Sequence, residues 1–131
     1  MTNRGLLDTS VILDLSKINA EHLPEEIAIS AITLAELNAG PAASTDLVEQ
    51  ARRRDLALRI ESLVDCLPFD TNCARAYGLV YAAVVRAGRK PRRRIADLLI
   101  ASTALAEELV LFTRNPEDFR GLEDILEVKA L

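Results

Sequence analysis

Apolar residues run along this chain in two rhythms. Short unbroken runs, Gly5 to Thr9, Ile27 to Ser30 and Leu109 to Thr113, read as strands buried on both faces. Between them, apolar residues recur every three or four positions, as on a helix. Thr9 or Ser10 caps a helix through about Lys17, and Thr33 to Ala39 forms another, closed by Gly40 and Pro41. Asp46 to Val64 is longer, with apolar residues at 47, 48, 51, 56, 60, 63 and 64 and a heavily charged outer face. Leu67 and Phe69 mark a strand end, Asp70-Thr71 caps a helix to about Arg86, Gly88 to Arg93 is a basic loop, and Ile95 to Glu108 is a further helix. Asn115-Pro116 restarts a short turn or helix, and Ile125 to Val128 forms a last strand. Strand and helix in alternation predict a parallel α/β sheet covered on both faces. Ligands in such sheets collect at the carboxyl ends of the strands. That places Asp8 and the Thr113–Asp118 segment near one edge.

At 131 residues, 50% hydrophobic and 27% charged, the chain reads as a single domain, 1–131, with one real core. No uncharged run exceeds ten residues, which rules out a membrane span, and the apolar stretch at the N-terminus is too short for a secretory signal. Cys66 and Cys73 cannot make a disulfide framework and read as reduced residues of a cytoplasmic protein. Aromatic residues make up 4% of the chain and Trp is absent, against a stacking platform for single-stranded nucleic acid. The net charge of −4 disfavours a passive nucleic-acid binder. The average hides a pattern, however. Six positive charges crowd into residues 86–94, and Arg52, Arg53 and Arg54 form a second cluster. Such a chain can handle a phosphate polymer if metal ions supply the remaining charge.

Three acids stand alone in uncharged segments. Asp8 is the one charge in GLLDTSVIL, Glu36 the one charge from Ile27 to Thr45, and Asp97 the one charge from Ile95 to Ala106. A carboxylate buried without a partner must protonate, find a cation or reach water. Three of them brought together raise each other's pKa unless a divalent cation neutralises them. With no His or Cys at ligand spacing, the ion is a hard one, Mg²⁺ or Mn²⁺.

Each acid also has a local reading. Asp8 can cap the helix that follows. Thr33-Leu-Ala-Glu36 fits a capping box. Asp97 lies in a first helical turn, where a carboxylate suits the dipole, and Asn115-Pro116-Glu117-Asp118 looks like a cap followed by a proline. These readings leave unexplained why all the acids lie in such uncharged segments. The lone His22 reads as a solvated surface residue, which removes zinc and Ser-His-Asp chemistry. No glycine pattern cradles a phosphate.

LLDTSVIL, SAITLAEL, RRRIADLLIASTA and LFTRNPEDF, in this order, resemble the PIN-domain nucleases, most closely the VapC toxins of VapBC toxin–antitoxin pairs. The resemblance runs from residue 6 to residue 119. It implies a three-layer α/β/α fold with a central parallel sheet flanked by helices, and a pocket of acids that binds Mg²⁺, with Mn²⁺ as the alternative. Asp8, Glu36 and Asp97 match the family's acids, and Asp118 or Asn115 completes the site. The implied activity is that of a Mg²⁺-dependent endoribonuclease, a hydrolase in which a metal-activated water attacks a phosphodiester. Arg92, Arg93, Arg94 and Arg114 are candidates for gripping the RNA backbone, along with the rest of the basic loop from Arg89. Thr9 or Ser10 is expected to hydrogen-bond a metal-bound water or a neighbouring carboxylate. The implied partners are a small cognate antitoxin and a second copy of the chain, with no membrane. The competing reading is a catalytically inactive PIN-like module that binds a protein partner, its acids serving only as caps.

Overall fold

A computed structural model describes residues 3–131. Five parallel strands form one sheet: β1 (Arg4–Leu7), β2 (Glu26–Ser30), β3 (Asp65–Leu67), β4 (Val110–Thr113) and β5 (Val128–Ala130), in the spatial order β3-β2-β1-β4-β5. The helices are α1 (Thr9–Leu13), α2 (Ala31–Ala39), α3 (Leu47–Leu63), α4 (Thr71–Arg86) and α5 (Ile95–Ala106).

Consecutive strand residues point to opposite faces, and both faces are covered. Leu6, Ala28 and Leu111 pack against α4 and α5 through Val80, Val84, Leu98 and Ala101. Their neighbours Leu7, Ile29 and Phe112 pack against α1, α2 and α3 through Ile12, Leu37 and Ile60. The result is the expected three-layer α/β/α architecture. Strand order reverses at β1, whose neighbours are β2 on one side and β4 on the other. The crevice beyond the carboxyl ends of β1 and β4 is therefore the topological switch point of the sheet.

Several boundaries differ from the sequence expectation. The last strand is not Ile125–Val128. The amides of Ile125 and Leu126 both bond to the carbonyl of Leu122, so this segment is a helical turn that buries Leu122 and Leu126. The edge strand starts only at Val128, and Leu111 to Thr113 pair with Val128 to Ala130. The strand expected around Leu67 and Phe69 lies earlier, at Asp65–Leu67. Helix α1 stops at Leu13 rather than near Lys17, where Asp14 turns its amide back to Ile12 and Val11. Helix α2 starts two residues before Thr33, with Ser30 as its cap, so the capping box of Thr33 and Glu36 does not form. Thr33 is instead fully buried. The basic loop tightens into a single turn at Pro91–Arg94. Helix α5 ends before Glu108, which adopts φ 55° and lets Leu109 bond back to Ala104.

Gly78 lies inside α4 with open space where a side chain would stand. Gly78→Ala is expected to raise stability by about 0.5–1 kcal/mol, because it restricts the unfolded chain without touching a neighbour. A urea midpoint moved upward at unchanged slope checks this.

Candidate active site at the carboxyl ends of the central strands

Asp8 follows β1 directly and is 4% exposed. Its Oδ1 accepts from the amide of Val11 at 3.1 Å, which caps α1, and from Ser10 Oγ at 2.6 Å. Its Oδ2 accepts from Thr113 Oγ1, at the end of β4, at 2.5 Å. Ser10 Oγ in turn accepts from the amide of Arg114, and Thr113 Oγ1 from the amide of Asn115, each at 3.0 Å. Two hydroxyls thus relay the loop after β4 onto one carboxylate. Asp8 is a cap and a site residue at once, and the two readings are not exclusive.

Glu36 projects from α2 on the exposed side of its helix. Thr9 Oγ1 donates to Glu36 Oε1 at 2.6 Å and stands 3.1 Å from Thr33 Oγ1. Ser10 and Thr9 therefore each serve one carboxylate, as the sequence led us to expect of at least one of them.

Asp97 occupies the first turn of α5 and is half-buried. Burial first, then the negative charges of Asp118, Asp8 and Glu36, push its carboxyl up to about 6, against a partial counter-effect from Arg94. Among the described residues, no hydrogen bond to Asp97 offsets these effects. The four acids predicted from sequence therefore share one electrostatic neighbourhood, with Asp97 as their common neighbour.

Asp118 sits in the turn Pro116–Phe119, which is pinned from two sides. Phe119 is buried in the core, and Arg89 Nη1 donates to the carbonyls of Glu117 and Arg120 at 2.8 and 3.0 Å. Arg94 Nη1 forms an ion pair with Asp118 Oδ1. Asn115 is exposed and begins this turn. Its carbonyl accepts from the amide of Asp118 at 3.0 Å.

Among the described residues, no three Asp, Glu, His or Cys side chains stand close enough together to hold a metal ion. The donor set itself fits a hard divalent cation. It is all carboxylate oxygen, and it contains a half-buried acid pushed up by three neighbouring acids and only partly offset by Arg94.

The basic residues divide by environment. Arg92 and Arg93 are exposed on the turn before α5. Arg114 Nε lies 3.5 Å from Asp14, and Arg89 is engaged with backbone carbonyls, so Arg89 serves the fold. Arg52 and Arg53 both pair with Glu49, and Arg53 also donates to the carbonyl of Gly40, which ties α3 to the turn after α2. Burial pushes the thiols of Cys66 and Cys73 up, so neither is an activated nucleophile.

Comparison with known proteins accords with this geometry. The family model described as PIN domain matches residues 5–124. The chain belongs to the PIN-domain family. It is 34% identical to ribonuclease VapC5 of Mycobacterium tuberculosis (strain ATCC 25618 / H37Rv), over 97% of this chain and 93% of that protein. It is 32% identical to ribonuclease VapC2 of Rickettsia felis, over 76% of this chain and 71% of that protein. Among solved structures it is similar to VapBC-5, a member of the VapBC family of toxin–antitoxin systems from M. tuberculosis. The TM-score is 0.87 at 28% identity, covering 98% of this chain and 99% of the other. These relatives place the chain among the VapC-type PIN domains. Thr113 is the site residue that sequence reasoning missed as a functional side chain.

Proposed function

We propose that this chain is a divalent-cation-dependent endoribonuclease, using Mg²⁺ or Mn²⁺, and the toxin of a type II toxin–antitoxin pair. One observation carries the reading: Asp97, half-buried and with no hydrogen bond among the described residues, is pushed up by the charges of three other acids from three other parts of the fold. The dipole of α5 favours a carboxylate in its first turn, but it does not account for Asp118, Asp8 and Glu36 acting on the same group. Relatives named ribonuclease support an RNA substrate. The toxin–antitoxin systems among the structural neighbours support a small antitoxin as partner.

Asp8, Glu36, Asp97 and Asp118 would hold the cation, with Asn115 at its margin. A cation bound there would supply Lewis acidity to a water and to the phosphoryl group. The chain's own residues do the rest. Ser10 and Thr113 hold Asp8 in one orientation, and Thr9 holds Glu36. Arg92, Arg93, Arg94 and Arg114 line the approach and receive the phosphate backbone. Residues 1–131 carry this chemistry as one domain. No helix among the described residues is long and apolar enough to cross a membrane. The free thiols of Cys66 and Cys73 support a reducing, cytoplasmic location. Exposed Tyr81 and Val85, four residues apart on one side of α4, offer a second copy an apolar patch.

The test is incubation of a labelled structured RNA with the purified chain in Mg²⁺, in Mn²⁺ and in EDTA. Internal cuts bearing a 5′-phosphate, present with cation and absent in EDTA, are the expected result. Cutting that persists in EDTA contradicts the proposal. Thr113→Val should lower the rate by roughly 10- to 100-fold, the usual cost of a lost partner to a metal-ligating group. It should also cost about 1–3 kcal/mol of stability, because Asp8 and the amide of Asn115 lose a buried partner. Rate and urea midpoint measured on one preparation check both.

A further inference from the structure

The Arg94 guanidinium pairs with Asp118, across 24 residues of sequence. The two side chains are 37% and 23% exposed, so neither is fixed in the core. Both line a cavity of about 300 Å³, together with Lys90 and Arg93. Arg89 also reaches this cavity, but its guanidinium is committed to two backbone carbonyls. The uncommitted positive charge on the cavity wall thus comes from Lys90 and Arg93, while Arg94 is held by Asp118.

A guanidinium and a divalent cation compete for one carboxylate, because each repels the other at contact distance. An arginine released from such a contact is well suited to a phosphate, which its planar fork can grip with two parallel hydrogen bonds. We propose that Arg94 is an exchangeable counter-ion. It neutralises Asp118 until a divalent cation takes that carboxylate, and then turns into the cavity beside Lys90 and Arg93 to bind a phosphate of the RNA. The inference rests on the nuclease reading above. It adds that cation loading and phosphate binding are coupled through this one side chain, each favouring the other as linkage requires. Asp118 keeps a positive partner throughout, and the phosphate ligand is free only when the site is loaded.

The first half of the exchange is read by calorimetric titration of Mn²⁺ into the full chain without RNA. Arg94→Gln removes the competitor and should tighten Mn²⁺ binding about tenfold, while Arg94→Lys, which keeps the charge, should tighten it by less. Arg92→Gln removes the same charge from the same turn and should change the affinity by less than about twofold. The second half is read with inorganic phosphate, followed through the Arg94 Nε–Hε resonance. That resonance should respond to phosphate in Mg²⁺ and not in EDTA. Equal Mn²⁺ affinity in wild type and Arg94→Gln overturns the exchange. So does equal tightening by Arg92→Gln, or a phosphate response independent of Mg²⁺. Failure of every variant, wild type included, to bind Mn²⁺ overturns the nuclease reading itself, and the exchange with it.

Discussion

Asp97→Asn is expected to abolish RNA cleavage, by at least about 10³-fold, and at the same time to stabilise the cation-free protein. The two effects share one cause. The Asp97 carboxyl is pushed up to about 6 by burial and by Asp118, Asp8 and Glu36. In the unfolded chain it titrates near 3.8. Between these values the folded state holds the proton more tightly than the unfolded one. Stability is therefore full below pH 3.8 and falls as pH rises through about 6. Above that window the charged Asp97 costs the fold about 1–2 kcal/mol, after allowance for its partial exposure to solvent. The side-chain amide of the variant has nothing to ionise and escapes the cost. In EDTA at pH 7.5 the variant should melt about 5 °C above wild type, and at pH 4 the two should converge. Mg²⁺ should narrow the gap by stabilising wild type preferentially, since a ligand that binds only the folded state raises its stability. Thermal melts of both proteins at the two pH values, with and without Mg²⁺, check each step. A variant that melts below wild type in EDTA at pH 7.5 would mean that Asp97 is a structural acid.

Gly5→Val attacks the platform instead of the site, and here activity and fold should disappear together. Gly5 lies in β1, paired with Ile27 on one side and Val110 on the other. A Cβ at this position would stand 2.3 Å from Phe112 Cε1, 2.8 Å from Phe112 Cδ1 and 2.9 Å from Pro24 Cγ. The Phe112 ring is 4% exposed within the core layer under α1, α2 and α3, so it has no room to withdraw. Overpacking at a central strand should cost about 3 kcal/mol or more. The same shift would displace Asp8, three residues on. A urea midpoint well below wild type, with loss of cleavage in proportion to loss of folded protein, is the expected outcome. A normal midpoint would place Phe112 elsewhere.

Asp8 and Asp97 stood out as candidates because burial of charge is costly, and the fold buries the first and half-buries the second. Glu36, by contrast, lies exposed on α2, and Asp118 enters only through the family resemblance. A lone carboxylate in an apolar segment signals a demand that the local sequence does not meet. The alternation of buried runs and helical periods likewise announced a parallel sheet, and with it the crevice at the ends of β1 and β4. What stayed hidden depends on contacts between distant segments. Thr113 reaches Asp8 across 105 residues, and nothing in LFTRNP marks that hydroxyl as a partner for the first strand's acid. Gly5 read only as part of a strand, because its need for a bare Cα comes from Phe112 and Pro24. Ser30 displaced Thr33 as the cap of α2 because the chain turns straight from β2 into the helix. The last strand slipped from Ile125 to Val128 because Leu122 and Leu126, four residues apart, serve the core as a helical turn. The basic turn looked like a uniform patch. In the fold Arg89 anchors backbone, Arg94 pairs with Asp118, and Arg92 and Arg93 face solvent.

The central claim is that Asp8, Glu36, Asp97 and Asp118 are one cation site rather than four separate structural acids. Calorimetric titration of Mn²⁺ into wild type and Asp97→Asn, at pH 7.5 and without RNA, tests it most directly. The account predicts saturable binding to wild type, displaced by Mg²⁺, and its loss in Asp97→Asn with the fold intact. Equal binding to both proteins, or none to wild type, would contradict it.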